Sequence, residues 1–494
     1  MANLLSEDVR ETPAARVSIP FLVAAGIYLL LLALAPRLLN DADTYWHIAV
    51  GRWILEHRTF PHVDVFSYTM PGTPWIAKEW LSQVLYAVAH EIGGWPMVVL
   101  LASAAIALAF GLLASFLLEV LAPVAALPLV GAGFILTASH LVARPHALAL
   151  PLMVAWVAGL VRAVDRGRAP SLFLLPLMLL WANLHGGFTL GLALIVPSAA
   201  EALWNAAPAE RRRTTVCWLR FAVCAGLTAM ITPYGPESML VTYRILGLGR
   251  ALSIVGEWQA QDFSHLAAFE MCLLLALGLA LYRGLTLPPA RIVILLGILH
   301  LALSHVRNGE ILGLLGPIYL AAPLAAQLGS HTVGPARAER NSLLACASIL
   351  AMLGAVTSAL TAIRPPEPNP NVSPVRAVEA IKRSGAHAVF NDYGFGGYLI
   401  YQGIAPFIDG RTELYGEAFT VRHHLAITLQ NVDDLLALLD RYKVDATLLG
   451  ANTPAVRLLD RLDGWQRVYS DATAVVHVRH ADTSTPPAIR GSTD

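Results

Sequence analysis

The run Asn40-Asp41-Ala42-Asp43-Thr44-Tyr45-Trp46-His47 stands directly after an apolar segment, Pro20 to Pro36, and opens a polar stretch that lasts to Glu91. A second apolar segment, Trp95 to Leu121, follows. Two carboxylates therefore sit at the mouth of what reads as a membrane helix. Behind them come Arg52, Glu56, His57, Asp64, Lys78 and Glu79, interleaved with Trp46, Trp53, Trp75 and Trp80. Ionisable groups beside a bilayer are costly, so a cluster of them marks a functional candidate. The competing reading is a solvated loop whose tryptophans form an interfacial belt.

Composition decides what surrounds this stretch. Hydrophobic residues make up 56% of the chain and charged ones 14%, with a mean hydropathy of +0.59. A soluble domain is nearer about a quarter charged, so most of this chain must face lipid or other apolar helices. The formal net charge is zero, which gives no reason to expect nucleic acid as a partner. Cys217, Cys224, Cys272 and Cys346 fall within or at the edge of apolar segments, without metal-site spacing, so a disulfide framework is not expected. Residues 1–19 carry Glu7, Asp8 and Glu11 with two arginines and read as a cytoplasmic N-terminus before a retained first span.

A span needs about 20 apolar residues, and about eleven candidates lie within 20–363. They are 20–38, 95–121, 123–142, 146–163, 171–184, 187–205, 215–232, 266–283, 291–305, 309–328 and 342–363. With the N-terminus inside, the alternation puts Arg162, Arg166 and Arg168, then Arg211, Arg212 and Arg213, then Arg283 and Arg291, then Arg337 and Arg340 on the cytoplasmic side, as the positive-inside rule requires. The outer loops 39–94 and 233–265 go to the other side. So do Asp41, Asp43, His47, Glu79, Arg144, His146, Asn183, His185, Glu257, Asp262, Arg307 and Asn308. Buried structural polar groups would scatter over both sides; this segregation argues for one external-face site. Within the first loop, a helix from about Thr44 to Glu56 puts Trp46, Val50, Trp53 and Ile54 on one face, suited to lie in the interface plane. A second helix runs from about Lys78 to Glu91, ended by Gly93-Gly94.

After Ile363 the character changes. Residues 364–372 form a proline-rich linker, residues 373–480 have ordinary soluble composition, and 481–494 read as a disordered tail. Strands are expected at 388–391, 406–409, 446–449 and 474–478, and helices at 373–384 (with Ser373 as cap), 432–442 and 454–462, which together predict a small extracytoplasmic α/β domain. Gly394-Phe395-Gly396-Gly397 matches neither nucleotide-binding glycine spacing and reads as a turn before a helix. Asp409-Gly410-Arg411-Thr412-Glu413 either binds a ligand or packs on the membrane part. The adjacent pair His423-His424 is a weak metal signal. Nucleophile elbow, HExxH and P-loop lysine are all missing from the sequence.

The external-face set has more chemistry to offer. Two carboxylates two residues apart can bind a divalent cation such as Mg²⁺ or Mn²⁺, or keep one of them poised as a base. Arg144 and Arg307 offer forked donors that fit phosphate oxygens. Trp and Tyr rings supply flat surface for a sugar face or an isoprenoid chain.

The order Asp41-Ala-Asp43-Thr-Tyr-Trp-His47-Ile-Ala-Val-Gly-Arg52, Asp64-Val-Phe-Ser-Tyr-Thr and Pro74-Trp-Ile-Ala-Lys-Glu79-Trp-Leu in a long first outer loop resembles the GT-C superfamily of polytopic glycosyltransferases. Ala143-Arg144-Pro-His146, Asn183-Leu-His185-Gly-Gly, Thr232-Pro-Tyr-Gly, Glu257-Trp-Gln, Asp392-Tyr-Gly-Phe-Gly-Gly-Tyr and Phe407-Ile-Asp-Gly-Arg411 extend the resemblance over nearly the whole chain, as a bacterial branch. The superfamily includes oligosaccharyltransferase catalytic subunits, protein mannosyltransferases and the lipid A aminoarabinose transferase. The resemblance implies a polytopic α-helical membrane protein with a polyprenyl-phosphate-linked sugar as donor. It also implies transfer at the outer face of the bacterial inner membrane to a glycan, lipid or protein acceptor, and an essential Asp in the first loop. Asp43 or Asp41 is then base or metal ligand, and Arg144 and Arg307 hold the donor phosphate. His47, Glu79, His146, Asn183, His185, Glu257 and Asn308 line the substrate cleft. The sequence departs from the superfamily at the acidic pair that some members carry in the second loop, which has no clear counterpart unless Glu257 or Asp262 fills it. A flippase of lipid-linked saccharide is the alternative, though internal repeats are not visible; a glycan-binding scaffold is a third reading.

Overall fold

The computed structural model describes residues 17–329 and 340–480. Most of the N-terminal stretch, Arg337 of the last basic connection and the tail from Ala481 lie outside the described residues. Each of the eleven apolar segments is helical. Among the described residues, six helices are long and apolar enough to cross a membrane: Trp80–Leu118, Pro123–His140, Pro145–Asp165, Phe188–Asn205, Val306–Leu328 and Cys346–Ile363. Ile19–Ala33, Leu172–Leu184 and Pro289–Ser304 are shorter apolar helices. Arg211–Ala229 and Ala268–Arg283 belong to neither group; the former is diluted by Arg211, Arg212, Arg213 and Arg220. On Ala268–Arg283 the side chains of Leu274, Leu275, Leu277, Leu279 and Leu281 are all exposed. In water that face would be a large apolar patch, and in a bilayer it meets its own solvent. The chain is a multi-pass membrane protein.

The Trp80–Leu118 helix is the hub, packing on Ile19–Ala33, Asp43–His57 and Pro145–Asp165. It is two helices joined at Gly93-Gly94, where Gly94 takes φ 62° and ψ −153°, a conformation that glycine alone adopts cheaply. The break falls where the expected loop helix ends and the span begins. The Asp43–His57 helix starts because Asp41 Oδ1 accepts the Asp43 N–H at 2.8 Å, taking up one of the unpaired donors of the first turn. Its apolar face does not lie in the membrane interface as expected. Trp46, Val50 and Ile54 are buried in protein, because the helix is clasped between the Trp80–Leu118 helix and Gly396–Tyr401.

Beyond residue 372, a four-stranded sheet runs in the order β1-β2-β4-β3, with β1 Val389–Asn391, β2 Ala446–Gly450, β3 Trp465–Ser470 and β4 Ala474–Arg479. The β1–β2 pair is parallel and the other two pairs are antiparallel. Residues 406–409, expected as a strand, are not one. Pro406 makes a single bridge to Val389, and the buried Asn391 side chain captures the backbone of the next two residues, accepting the Phe407 N–H at 2.8 Å and donating to the Ile408 carbonyl at 2.8 Å. β3 was not foreseen: it is an edge strand, mostly exposed, with a bulge between Arg467 and Tyr469. Ser373 does not cap the Val375–Ser384 helix either; its hydroxyl lies 2.5 Å from that of Tyr45, tying this region to the first loop.

The firmest tie between loop and sheet region is Arg411. Its guanidinium is wholly buried and donates to Asp409 at 2.8 and 2.7 Å and to Asp64 at 2.6 Å, between the rings of Phe66 and Trp75. Tyr415 donates to Asp409 at 2.6 Å, and Ser67 to Asp64 at 2.6 Å. The Asp-Gly-Arg motif thus packs against the outer loop, and every charged oxygen in the lock has a donor, as burial demands.

Candidate functional site

The cleft gathers side chains from both outer loops, the three inter-helix turns at 140–146, 183–187 and 305–310, and the sheet region. At its centre is Arg144, in the extended backbone that a following proline favours (φ −124°, ψ 166°). Its neighbours fix that backbone: Tyr86 donates to the Arg144 carbonyl at 3.0 Å, the Ala143 N–H to Leu38 O at 2.7 Å, and the Thr44 hydroxyl to the Ala143 carbonyl at 3.0 Å. The guanidinium then meets three carboxylates, Asp43 at 2.8 Å, Asp41 at 3.2 Å and Glu257 at 2.5 Å. The other Glu257 oxygen accepts from Arg307 at 2.8 Å, and Arg307 also lies over the Trp258 ring, 4.6 Å from its centre. Asp41, Asp43, Arg144, Glu257 and Arg307 therefore form one continuous charged chain.

A layer of histidines extends it. His140 has one ring nitrogen 3.2 Å from Glu257 and the other 3.3 Å from Glu310; His146 stacks on His140 and approaches Glu310 at 3.6 Å. Next to it, where the His185 ring comes within 6.2 Å of that of His146, Glu79 lies 3.5 Å from His185 and 3.9 Å from His47, and Lys78 binds Glu413 at 2.9 Å. Asn183 is close by, but its amide is spent on structure: it accepts from Trp80 Nε1 and donates to the carbonyls of Leu179 and Ile231. Asn308 donates back to the Leu301 carbonyl at 3.2 Å. Asp262 is fully exposed and bonded to Ser264, apart from the cluster.

Burial sets the electrostatics. It pushes the Asp43 carboxyl up to about 7 against the pull of Arg144, with Asp41 and Glu257 adding to the rise. For Glu257 burial acts in the same direction, but Arg144 and Arg307 overcome it and hold that carboxyl well below the usual range. Burial also lifts Glu79 and keeps His47 far below its ordinary value, hence neutral. The site thus offers an anionic anchor in Glu257 and a carboxylate poised near neutrality in Asp43.

Several members were not foreseen from sequence. Gly410 stands against Asp43 so closely that a Cβ would collide with its carboxylate, and a Cβ on Gly397 would collide with the Ala42 carbonyl. Tyr393, half-buried and bonded to Thr412 at 2.8 Å, faces the same carboxylate. Glu310 was hidden inside an apolar run, although a charge there was itself a signal. His140, His146 and Glu310 bring one ligand atom each within 4.8 Å of one another, near enough to hold a metal ion. An apolar groove of about 370 Å³ opens beside the cleft, lined by Trp80, Leu81, Leu179, Leu180, Ile231 and Pro233.

No protein-family model matches the sequence, and no curated protein matches it. Among solved structures, the chain is similar to the archaeal oligosaccharyltransferase AglB from Archaeoglobus fulgidus in complex with an inhibitory peptide and a dolichol-phosphate. There the TM-score is 0.52 and the identity 11%, over 95% of this chain and 74% of that one. The apo form of the Archaeoglobus fulgidus oligosaccharyltransferase matches with a TM-score of 0.56 and 12% identity, over 87% of this chain and 69% of that one. Its complex with Zn and sulfate gives 0.51 and 11%, over 93% and 73%. At such identity the likeness is one of fold, and it embraces the helical bundle and the sheet region together.

Proposed function

We propose that this protein is a membrane glycosyltransferase that moves a sugar from a polyprenyl-phosphate donor to an extracytoplasmic acceptor, with inversion at the anomeric carbon. The observation that carries the reading is the convergence of Asp43, Arg144, Glu257 and Arg307 from four distant segments into one cleft. The fold is similar to that of an archaeal oligosaccharyltransferase, one of whose structures holds a dolichol-phosphate. The apolar groove beside Trp80 suits the first isoprene units of such a donor.

In this reading Asp43 takes the proton from the acceptor hydroxyl or amide as its heteroatom attacks the anomeric carbon. The bond from that carbon to the phosphate oxygen breaks, and polyprenyl phosphate leaves with the electron pair. Arg307 holds the departing phosphate: unlike Arg144 it has a single carboxylate partner among the described residues, Glu257, leaving part of its fork for a ligand. The N-terminus of the Pro145–Asp165 helix, at the cleft, favours the same negative charge. His47, Glu79, His146 and His185 line the sugar side. The site faces the periplasm of a bacterial inner membrane, and the α/β region, taken as 373–480 after a linker at 364–372, closes it from outside.

The test uses purified protein in lipid nanodiscs and a panel of synthetic undecaprenyl-phosphate sugars, with release of undecaprenyl phosphate read by mass spectrometry. We expect one donor to be consumed, and Asp43→Asn to slow that by about 10²–10⁴-fold, the usual worth of a positioned base. Full activity in both Asp43→Asn and Asp41→Asn would remove the carboxylate role. Movement of the donor across liposomes with its linkage intact would indicate a flippase instead.

A further inference from the structure

We infer that the guanidinium of Arg144 takes the place of a divalent cation at the Asp41–Asp43 pair, so that the site carries its positive charge on a side chain and binds no metal there. The inference deepens the transferase reading and rests on it only for its consequence, since its test does not measure transfer. Three carboxylates from two loops, Asp41, Asp43 and Glu257, close on one residue at 3.2, 2.8 and 2.5 Å. That is an oxygen set suited to a hard cation such as Mg²⁺ or Mn²⁺, yet the cation at its focus is an arginine. An ion close enough to ligate both Asp41 and Asp43 would sit against the guanidinium, inside a cleft that screens little of their repulsion.

Arg144 is not a side chain that has drifted in. Its carbonyl is held by Tyr86 and the backbone of the preceding Ala143 by Leu38 and Thr44, in the extended form set by Pro145. Of its terminal nitrogens, Nη1 serves Asp41 and Glu257 while Nη2 serves Asp43. The second donor set nearby is already occupied with hydrogen bonds. His146 Nε2 lies 3.1 Å from the His140 carbonyl, which only accepts, so that nitrogen carries a proton. Both His140 nitrogens face carboxylates. The fixed guanidinium thus has a positioning role: it keeps Asp41 and Asp43 beside the acceptor position and stays charged at every working pH.

The experiment is Mn²⁺ binding to the full chain in nanodiscs after exhaustive chelation, read by electron paramagnetic resonance, with every variant repeated in a His146→Ala background to remove the second donor set. Wild type is expected to hold no Mn²⁺ that depends on Asp43. Arg144→Ala, which frees three carboxylates, is expected to gain one Mn²⁺ per chain at least about tenfold more tightly than wild type, and Asp43→Asn should abolish that gain. Arg144→Gln serves if the alanine variant does not fold, and the comparison of wild type with Asp43→Asn decides alone if neither does. The inference is overturned if wild type binds Mn²⁺ and loses it with Asp41→Asn or Asp43→Asn, or if a folded Arg144→Ala binds no better than wild type. A chain that binds no Mn²⁺ and also consumes no donor loses the transferase reading but keeps the cation assignment.

Discussion

Asp43 is asked to hold a proton and to give it up within the ordinary range of pH. Burial makes this possible by lifting its carboxyl to about 7, and Arg144 keeps it from rising further. A base works deprotonated, so the sign is fixed: kcat/KM for donor consumption should fall about tenfold per pH unit below pH 7 and level off above it. Removing the guanidinium removes the largest lowering influence on Asp43, so Arg144→Gln should move the midpoint to higher pH while the limiting rate drops. A profile flat from about pH 5.5 to 8.5 would show that Asp43 is not the titrating group. At this scale the sequence displayed Asp41, Asp43, Glu79, Arg144, Glu257 and Arg307, because a charge beside apolar runs is conspicuous, but not Glu310. It did not display Gly410 or Gly397, whose contribution is the absence of a side chain where two segments touch. Nor did it reveal that Asn183 spends its amide on Trp80, Leu179 and Ile231, since those partners lie in other parts of the chain.

Among elements, the first loop and the sheet region are locked by Arg411 with Asp64 and Asp409, all with fully buried side chains. A buried ion cluster contributes little net stability while intact, but deleting one partner strands the others. Arg411→Leu leaves two carboxylates in an apolar interior and should cost about 3–5 kcal/mol. The expected readouts are a lower Tm in detergent and new protease cleavage between Phe60 and Lys78, as the loop comes away from the sheet region. An unchanged Tm would mean that the lock does not hold the two together. Helices were the legible elements, because twenty apolar residues in a row leave few other choices. Strands were less so: 406–409 carries a strand-like composition, yet Asn391 takes the backbone groups that a neighbouring strand would need. The first-loop helix was legible as amphipathic, but periodicity alone does not say whether its apolar face meets lipid or protein. Here it meets Gly396–Tyr401, more than 300 residues away in sequence.

Across the whole molecule the charges gather at two ends. The Pro145–Asp165 helix begins beside Arg144 and finishes near Arg162 and Arg166; its 21 residues are roughly 30 Å long, about the thickness of a hydrocarbon core. Arg211–Ala229 runs the opposite way, from its three arginines to the turn where Tyr234 donates to Pro61 of the first loop. Pro289–Ser304 likewise starts near Arg291, which is buried among Asp165, Glu201 and the Tyr319 carbonyl, and ends at Arg307 in the cleft. Three helices thus agree that the cleft and the basic end lie on opposite sides of an apolar slab. Under the positive-inside rule, that arrangement is what the proposed outward-facing cleft requires. With Cys217, Cys224, Cys272 and Cys346 replaced by serine, single cysteines at Asn452 in the sheet region and at Arg212, both exposed, report the two ends. A membrane-impermeant maleimide should label Asn452→Cys in intact spheroplasts and Arg212→Cys after permeabilisation alone. If Arg212→Cys labels without permeabilisation and Asn452→Cys does not, the chain lies the other way up, and a donor presented at the outer face could not reach Asp43.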